Sequence, residues 1–332
     1  MVKNYLFGES NSRSQEAQQK WGLMKGALDS VYDEDVTVRF LRHVLNVLRG
    51  HTREQEVFIE TQKIAKGTTK ALSFLDNLER FSTTYVAITN PEHEIWNKYP
   101  DSMRGGIKTL NLINIRPFQP LLLALTEKTK PKDMNIIVMN LISLGVRLLI
   151  ASRTTTGSVE EALSKAANMV YSNKAEDWKS LKKVLENITP NNEKFCQAFE
   201  TATVSQAKFA RYYLRTLEME AKGEPNPLFI PNDDKEVVNL EHILPERPGK
   251  NWPAFTQDAV GVYSKRIGNF VLLNVKPNSD LKSADFKTKK IEYAKNTYKL
   301  TKEVCKYTNW TETEIGERQK RLAALAIKAW PI

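Results

Sequence analysis

Residues 238–252 read VNLEHILPERPGKNW, and this stretch decides how the second half of the chain is interpreted. An apolar run typical of a strand is interrupted by two adjacent polar residues, Glu241 and His242, and then resumes as far as Pro245. Neighbouring side chains on a strand point to opposite faces, so these two residues do not form a simple ion pair. A histidine on an apolar strand is by default a buried structural residue, and the surrounding sequence must decide between packing and chemistry.

The stretch begins a short unit of strand, loop, strand and helix. The first predicted strand is residues 237–244, a loop rich in Pro and Gly follows it, and the second strand is residues 267–274. A basic helix is predicted at residues 284–298. Two asparagines lie at the corners of this unit, Asn269 at the start of the second strand and Asn278 before the helix. Each also has an explanation without function, as a turn residue and as a helix cap.

The first two thirds of the chain have helical periodicity. Between about residues 12 and 222 apolar residues recur at i, i+3, i+4 and i+7, as in residues 36–50, where a glycine ends the pattern. Turn-forming residues at 223–234 end this region. We therefore predict a mainly α protein, with an α-helical scaffold domain over residues 1–225 and a second domain over residues 226–332.

Composition excludes several classes of protein. With 332 residues, 41% hydrophobic and 27% charged, the chain has the composition of a soluble folded protein rather than a disordered one. Its two cysteines, Cys196 and Cys305, provide neither a disulfide framework nor a cysteine zinc site. No stretch reaches the ~18 uncharged apolar residues of a membrane span, and no signal-peptide pattern is present. We therefore expect a cytoplasmic protein without a membrane partner.

The charge of the chain is concentrated near the unusual Glu-His pair. The formal net charge is +10, and residues 261–310 hold eleven Lys or Arg against four Asp or Glu. A positive charge of this kind permits a polyanion partner, but many soluble proteins are basic for solubility alone.

The motifs EHILP and RIGNFVLLNVKPNSD, with the Lys-rich helix after them, resemble the His-Me finger (HNH) nuclease motif. Over about residues 236–331 the chain is similar to the C-terminal domain of GmrSD-type, modification-dependent (type IV) restriction enzymes and their relatives in phage defence. This resemblance implies a C-terminal ββα-metal nuclease domain with flanking helices. More weakly, KNYLFGESNS at residues 3–12 resembles the end of the ParB-like nucleotide-dependent domain that precedes the nuclease in those enzymes. That implies an upstream ParB-like domain, absent from this chain, as a further partner.

The resemblance also implies a role for each polar residue of the unit. His242 would be the general base on the attacking water, and Glu241 and Asn278 would bind Mg²⁺ or Mn²⁺. Asn269 would brace the loop and orient His242 through backbone hydrogen bonds. Histidine suits a base near neutral pH, and carboxylate and amide oxygens suit a hard cation.

Basic side chains after the motif are candidates for phosphate contact, which gives salt-sensitive, sequence-independent affinity. Lys287 and Lys290 are favoured because they lie about one helical turn apart. Lys289 and Lys295 are interpreted as part of a solvated helix face. The predicted DNA-binding residues are Arg266, Lys282, Lys287 and Lys290.

The residues and the resemblance together predict a metal-dependent DNA endonuclease, and the resemblance alone implies that it nicks or cuts foreign or modified DNA in phage defence. The alternative is a nucleic-acid-binding or protein-interaction module whose nuclease unit is inactive or depends on a partner. RNA cleavage also stays open, because nothing in these residues detects a 2′-hydroxyl.

Overall fold

A computed structural model describes residues 1–31, 35–151, 156–223, 238–274, 281 and 283–332. The chain divides into two units, one of residues 1–139 and 153–189, the other of residues 140–152 and 190–332. Helices account for 74% of the structure, so the predicted mainly α class is confirmed. The predicted domain boundary at residues 225 and 226 lies outside the described residues and stays a prediction.

The first unit is built from helices that bury their apolar faces against one another. Phe40, Leu75, Phe81 and Leu163 are fully buried in it. Helix α3 ends at Gly50, whose φ of 94° lies in the left-handed region that favours glycine, so the predicted helix stop is confirmed. The helices are α1 Val2–Ser10, α2 Ser14–Leu28, α3 Val36–Arg49, α4 Val57–Ile64, α5 Thr68–Thr89, α6 Ser102–Ile113, α7 Phe118–Lys128, the start of α8 Pro131–Ala151, α9 Thr156–Tyr171 and α10 Trp178–Leu185.

The second unit combines helices with one short sheet. It contains the end of α8 and the elements α11 Asn192–Phe199, α12 Ala207–Lys222, β1 Asn239–His242, α13 Gln257–Tyr263, β2 Phe270–Leu273, α14 Phe286–Lys295, α15 Lys299–Lys302 and α16 Glu312–Ala329. Helix α14 is the predicted basic helix. The two predicted strands are confirmed, although both are shorter than predicted.

The register of the sheet decides which way the Glu-His pair points. Strands β1 and β2 are antiparallel, with Glu241 opposite Val271 and His242 opposite Phe270. Directly opposed residues share a face of an antiparallel sheet. Val271 belongs to the buried core of this unit, so the face that carries Glu241 is turned toward the core. His242 therefore projects from the other face.

Helix α8 is the one described helix that is long and apolar enough to cross a membrane by length and composition. Within that helix, 61% of the most apolar window is buried inside the protein, as in a core helix. Its Arg147 is fully buried in the second unit. The guanidinium donates to the carbonyls of Trp330 at 2.9 Å and Pro190 at 2.9 Å, and to Asn192 Oδ1 at 2.7 Å. This arginine is thereby accommodated in a protein core through three hydrogen bonds.

Candidate active site

His242 lies at the end of β1 with its side chain partly open to solvent. The side chain is 31% exposed, and its Nε2 atom lies 3.9 Å from Glu246 Oε1. The ring packs edge-on against Phe270, with 4.7 Å between the ring centroids. Burial lowers the pKa of His242, and the nearby Glu246 carboxylate opposes that effect. Since the pKa is lowered, the imidazole is neutral at pH 7, which is the protonation state of a general base.

Asn269 braces the segment that follows His242. Its side chain is fully buried. Nδ2 donates to the Leu244 carbonyl at 2.8 Å and to the Ser264 carbonyl at 3.0 Å. Oδ1 accepts from Leu244 N at 2.8 Å and from Trp310 Nε1 at 3.1 Å. The carboxamide therefore pairs with the backbone of Leu244 as a strand would, and this fixes the chain two residues beyond His242. The catalytic role of Asn269 stays a prediction.

Side chains of helix α16 hold the turn that carries Asn269 through hydrogen bonds. Gly268 N donates to Gln319 Oε1 at 3.1 Å, and the buried Arg318 donates to the carbonyls of Gly268 at 2.6 Å and Phe270 at 2.8 Å. A Cβ atom added at Gly268 would lie 2.5 Å from the Ile315 carbonyl oxygen. This position accepts only glycine without movement of the helix backbone, because real Cβ atoms do not approach so closely.

Glu241 is buried in an ion pair with Lys289 of α14. Its carboxylate Oε1 lies 2.6 Å from Lys289 Nζ, and the two side chains are 5% and 0% exposed. The same ammonium group donates to the His242 carbonyl at 2.7 Å. Burial lowers the pKa of Lys289, and Glu241 acts against that shift. The expectation that Lys289 belongs to a solvated face is therefore wrong.

The signal that identifies Lys289 as buried is its position on the helix. Phe286 and Tyr293, three residues before it and four after it, lie on the same helical face and pack in the core. A lysine flanked in this way requires a buried acceptor, and Glu241 supplies it.

The described residues cover only part of the expected divalent-cation site. In this part of the chain no group of three or more His, Cys, Asp and Glu residues is placed to hold a metal ion. Asn278, the predicted second ligand, lies outside the described residues. Glu241 and His242 are on opposite faces of β1, so the structure does not bring them together. The metal role of Glu241 stays a prediction.

The predicted DNA-binding residues differ in their contacts. Arg266 donates to the Glu200 carbonyl at 3.1 Å, and its guanidinium lies 5.4 Å from the centre of the Tyr263 ring. Lys290 donates to the Tyr307 carbonyl at 2.6 Å. Lys287 is exposed, and it lines a cavity of about 910 Å³ together with Lys290. Lys282 lies outside the described residues. DNA contact by these four residues stays a prediction.

Sequence reasoning also missed two charged neighbours of His242. Glu246 follows the strand, and Lys265 Nζ lies 3.9 Å from Glu246 Oε1. Both side chains are about half exposed. The spacing from His242 to Glu246 was visible in the sequence, but only the turn after Leu244 brings the carboxylate back toward the imidazole.

Comparison with known proteins identifies the part of the chain that holds this site. Residues 189–325 match the family model described as GmrSD restriction endonucleases, C-terminal domain. No curated protein matches the chain. The family match begins well before residue 236, where the resemblance read from the sequence starts, and it therefore includes α11 and α12. The resemblance is confirmed over residues 189–325, because this part of the chain matches the C-terminal domain of GmrSD restriction endonucleases.

Proposed function

We propose that the chain is an HNH-type endonuclease that hydrolyses phosphodiester bonds in DNA, with His242 as the general base. A restriction endonuclease domain acts on DNA, which favours DNA over RNA as substrate. The observation that supports the catalytic part best is the environment of His242. A neutral, partly exposed imidazole is attached to a segment that the buried Asn269 fixes through two hydrogen bonds to Leu244, while its other two anchor the carboxamide to Ser264 and Trp310.

In this proposal each described residue has a limited task. His242 takes a proton from the water that attacks the phosphorus atom, which requires an unprotonated ring nitrogen. Asn269 and the strand pairing hold His242 in place. Glu246 and Lys265 lie beside His242 with their side chains about half exposed, and their charges would face the substrate. We further propose a requirement for Mg²⁺ or Mn²⁺.

The biological setting is proposed from the family. Cleavage of foreign or modified DNA in phage defence, in the cytoplasm, fits a GmrSD-type restriction endonuclease. An upstream ParB-like domain as partner is part of the same proposal. Exposed Lys287, with Arg266, Lys282 and Lys290, would then contact DNA phosphates.

The test compares plasmid cleavage by the wild type and His242→Ala, with Mg²⁺ or Mn²⁺ and with a chelator. Loss of a general base is expected to reduce the rate on the order of 10²–10⁴-fold. His51→Ala is the matched control, because His51 is an exposed histidine of the first unit. Thermal unfolding of the variants shows whether they are folded. Equal cutting by the wild type and a folded His242→Ala would remove His242 from the mechanism.

A second function is favoured by one specific observation, the neutralisation of Glu241 by Lys289. In this second function the chain is a nucleic-acid-binding or protein-interaction module whose nuclease unit is inactive or depends on a partner. Such a module binds DNA in a salt-sensitive manner, and neither chelation nor His242→Ala changes that binding. Binding to labelled DNA and RNA, measured beside cleavage, separates the two functions.

A further inference from the structure

The cation that meets Glu241 in this structure is an ammonium group on α14. Lys289 Nζ lies 2.6 Å from Glu241 Oε1 and 2.7 Å from the His242 carbonyl oxygen. A carboxylate and a carbonyl oxygen are also ligands that a hard cation uses. Lys289 therefore already neutralises Glu241, one of the two residues that the sequence motif suggests as metal ligands.

The ion pair is more than a means of neutralising charge. Burying two charges is costly, and apolar residues of similar size often replace such a pair without loss of stability. An apolar replacement cannot donate to a carbonyl group, however. Lys289 lies on the core face of β1 and donates a hydrogen bond to the backbone carbonyl of His242. The ring of His242 lies on the other, solvent-exposed face of the strand. The position of the imidazole is thereby linked to a residue that it does not touch.

Two supports then hold His242 from different directions. Asn269 fixes Leu244, two residues further along the chain, and its own carbonyl accepts a hydrogen bond from Ile243 N at 2.9 Å. Lys289 fixes the carbonyl of His242 itself. Asn269 acts from the turn before β2 and Lys289 acts from α14, so the loss of one support leaves the other in place.

We infer that Lys289 is a positioning residue for His242, and that its ammonium group takes the place of a divalent cation at Glu241. This inference rests on the proposed function. Displacement of a reacting group by about 1 Å can lower a rate on the order of 10²-fold, which is the size of effect expected when Lys289 is lost.

The experiment uses the full chain and four variants: Lys289→Met, Glu241→Met, the double variant with both changes, and Lys295→Met as an exposed control on the same helix. Three quantities are measured for each: kcat and KM for cleavage of a labelled DNA duplex, the Mg²⁺ concentration for half-maximal cleavage, and the midpoint of thermal unfolding.

The double variant separates positioning from a purely structural role. Lys289→Met leaves a buried carboxylate without its partner and is expected to lower both the unfolding midpoint and kcat. The double variant removes both charges and is expected to regain most of the lost unfolding midpoint, because no unpaired charge remains and only the uncharged His242 carbonyl lacks its donor. Its kcat is expected to stay reduced on the order of 10²-fold, with KM unchanged, because the His242 carbonyl still lacks its donor. Recovery of kcat together with the unfolding midpoint would overturn the inference.

The Mg²⁺ dependence distinguishes the ammonium group from a metal ion. If Lys289 is the resident cation, the Mg²⁺ concentration for half-maximal cleavage is the same in the wild type and in all four variants. If Glu241 binds the metal, Lys289→Met removes a competitor and lowers that concentration, whereas Glu241→Met raises it. Either shift would overturn the inference while leaving the endonuclease intact. No cutting by the wild type with either metal overturns the proposed function, and this inference with it.

Discussion

Asn269→Asp tests whether the buried carboxamide holds the segment after His242. The substitution replaces one side-chain nitrogen by oxygen and leaves the size of the residue almost unchanged. The carboxylate keeps the two contacts in which Oδ1 accepts, from Leu244 N and Trp310 Nε1. It loses the two contacts in which Nδ2 donates, at 2.8 Å to the Leu244 carbonyl and at 3.0 Å to the Ser264 carbonyl. Two buried carbonyl oxygens then face an anion.

The magnitude follows from those two carbonyl groups. A buried polar group left without its partner costs about 1–3 kcal/mol, so two of them predict a loss of roughly 2–6 kcal/mol in the free energy of unfolding. Burial of the new charge adds to this loss. Protonation of the new carboxyl group restores one donor. The loss is therefore expected to shrink as the pH is lowered from about 8 to about 5, because protonation then favours the folded variant.

The assay is urea unfolding followed by tryptophan fluorescence at both pH values. Asn251→Asp is the matched control, because the exposed Asn251 side chain makes the same kind of donor contact, at 2.8 Å to the Ser283 carbonyl. The control is expected to stay within about 0.5 kcal/mol of the wild type. An Asn269→Asp variant that is as stable as this control at the higher pH would refute the account of Asn269 as the brace.

Three further predictions concern other buried positions. His43 has a pKa lowered to about 3 by burial, so the unfolded chain takes up a proton below about pH 6.5 and the folded chain does not. Stability is therefore expected to fall by up to about 1.4 kcal/mol per pH unit as the pH drops from 6.5 toward 3, and His43→Phe should flatten that slope in urea unfolding. Gly268→Ala is expected to lower the unfolding midpoint by several degrees because its Cβ meets the backbone of α16, whereas Gly261→Ala, with open space around it in α13, should raise it slightly. Arg147→Met leaves two buried carbonyl oxygens, those of Trp330 and Pro190, without this donor and is expected to cost about 2 kcal/mol or more, measured by denaturant unfolding; a loss below about 1 kcal/mol would contradict this.

The helical part of the fold was predictable because its periodicity is local. Residues 36–50 carry both the apolar face and the glycine stop of α3, and the structure has the helix where the pattern predicts it. The sheet was predictable in existence but not in length. Its strands have four residues each, since the turn at Ile267–Asn269 takes up residues that the apolar pattern assigns to the second strand. A hydrophobic run does not show where strand pairing ends.

Only part of the candidate site was predictable from the sequence, namely the part that its motif describes. Asn269 was recognised as a brace from its motif, and its hydrogen bonds to Leu244 fit that task. Arg318 and Lys289 were not recognised, because a cation in an amphipathic helix resembles a solvated residue. Arg318 is buried because the turn at Gly268 packs against it, and Lys289 is buried because strand β1 packs against it. That approach depends on tertiary packing, which one sequence does not encode at a single position.

The alternation of side chains on β1 separates two roles that the motif places side by side. Adjacency in the sequence suggests that Glu241 and His242 serve one cation and one water molecule. On a strand, however, adjacent side chains leave by opposite faces, and the pairing of Glu241 with Val271 and of His242 with Phe270 fixes which face is which. The carboxylate therefore enters the core, where only a buried cation can neutralise it, and Lys289 does so. The imidazole stays partly exposed, where a substrate can reach it. The two residues are linked through Lys289, whose ammonium group pairs with the Glu241 carboxylate and donates to the His242 carbonyl oxygen.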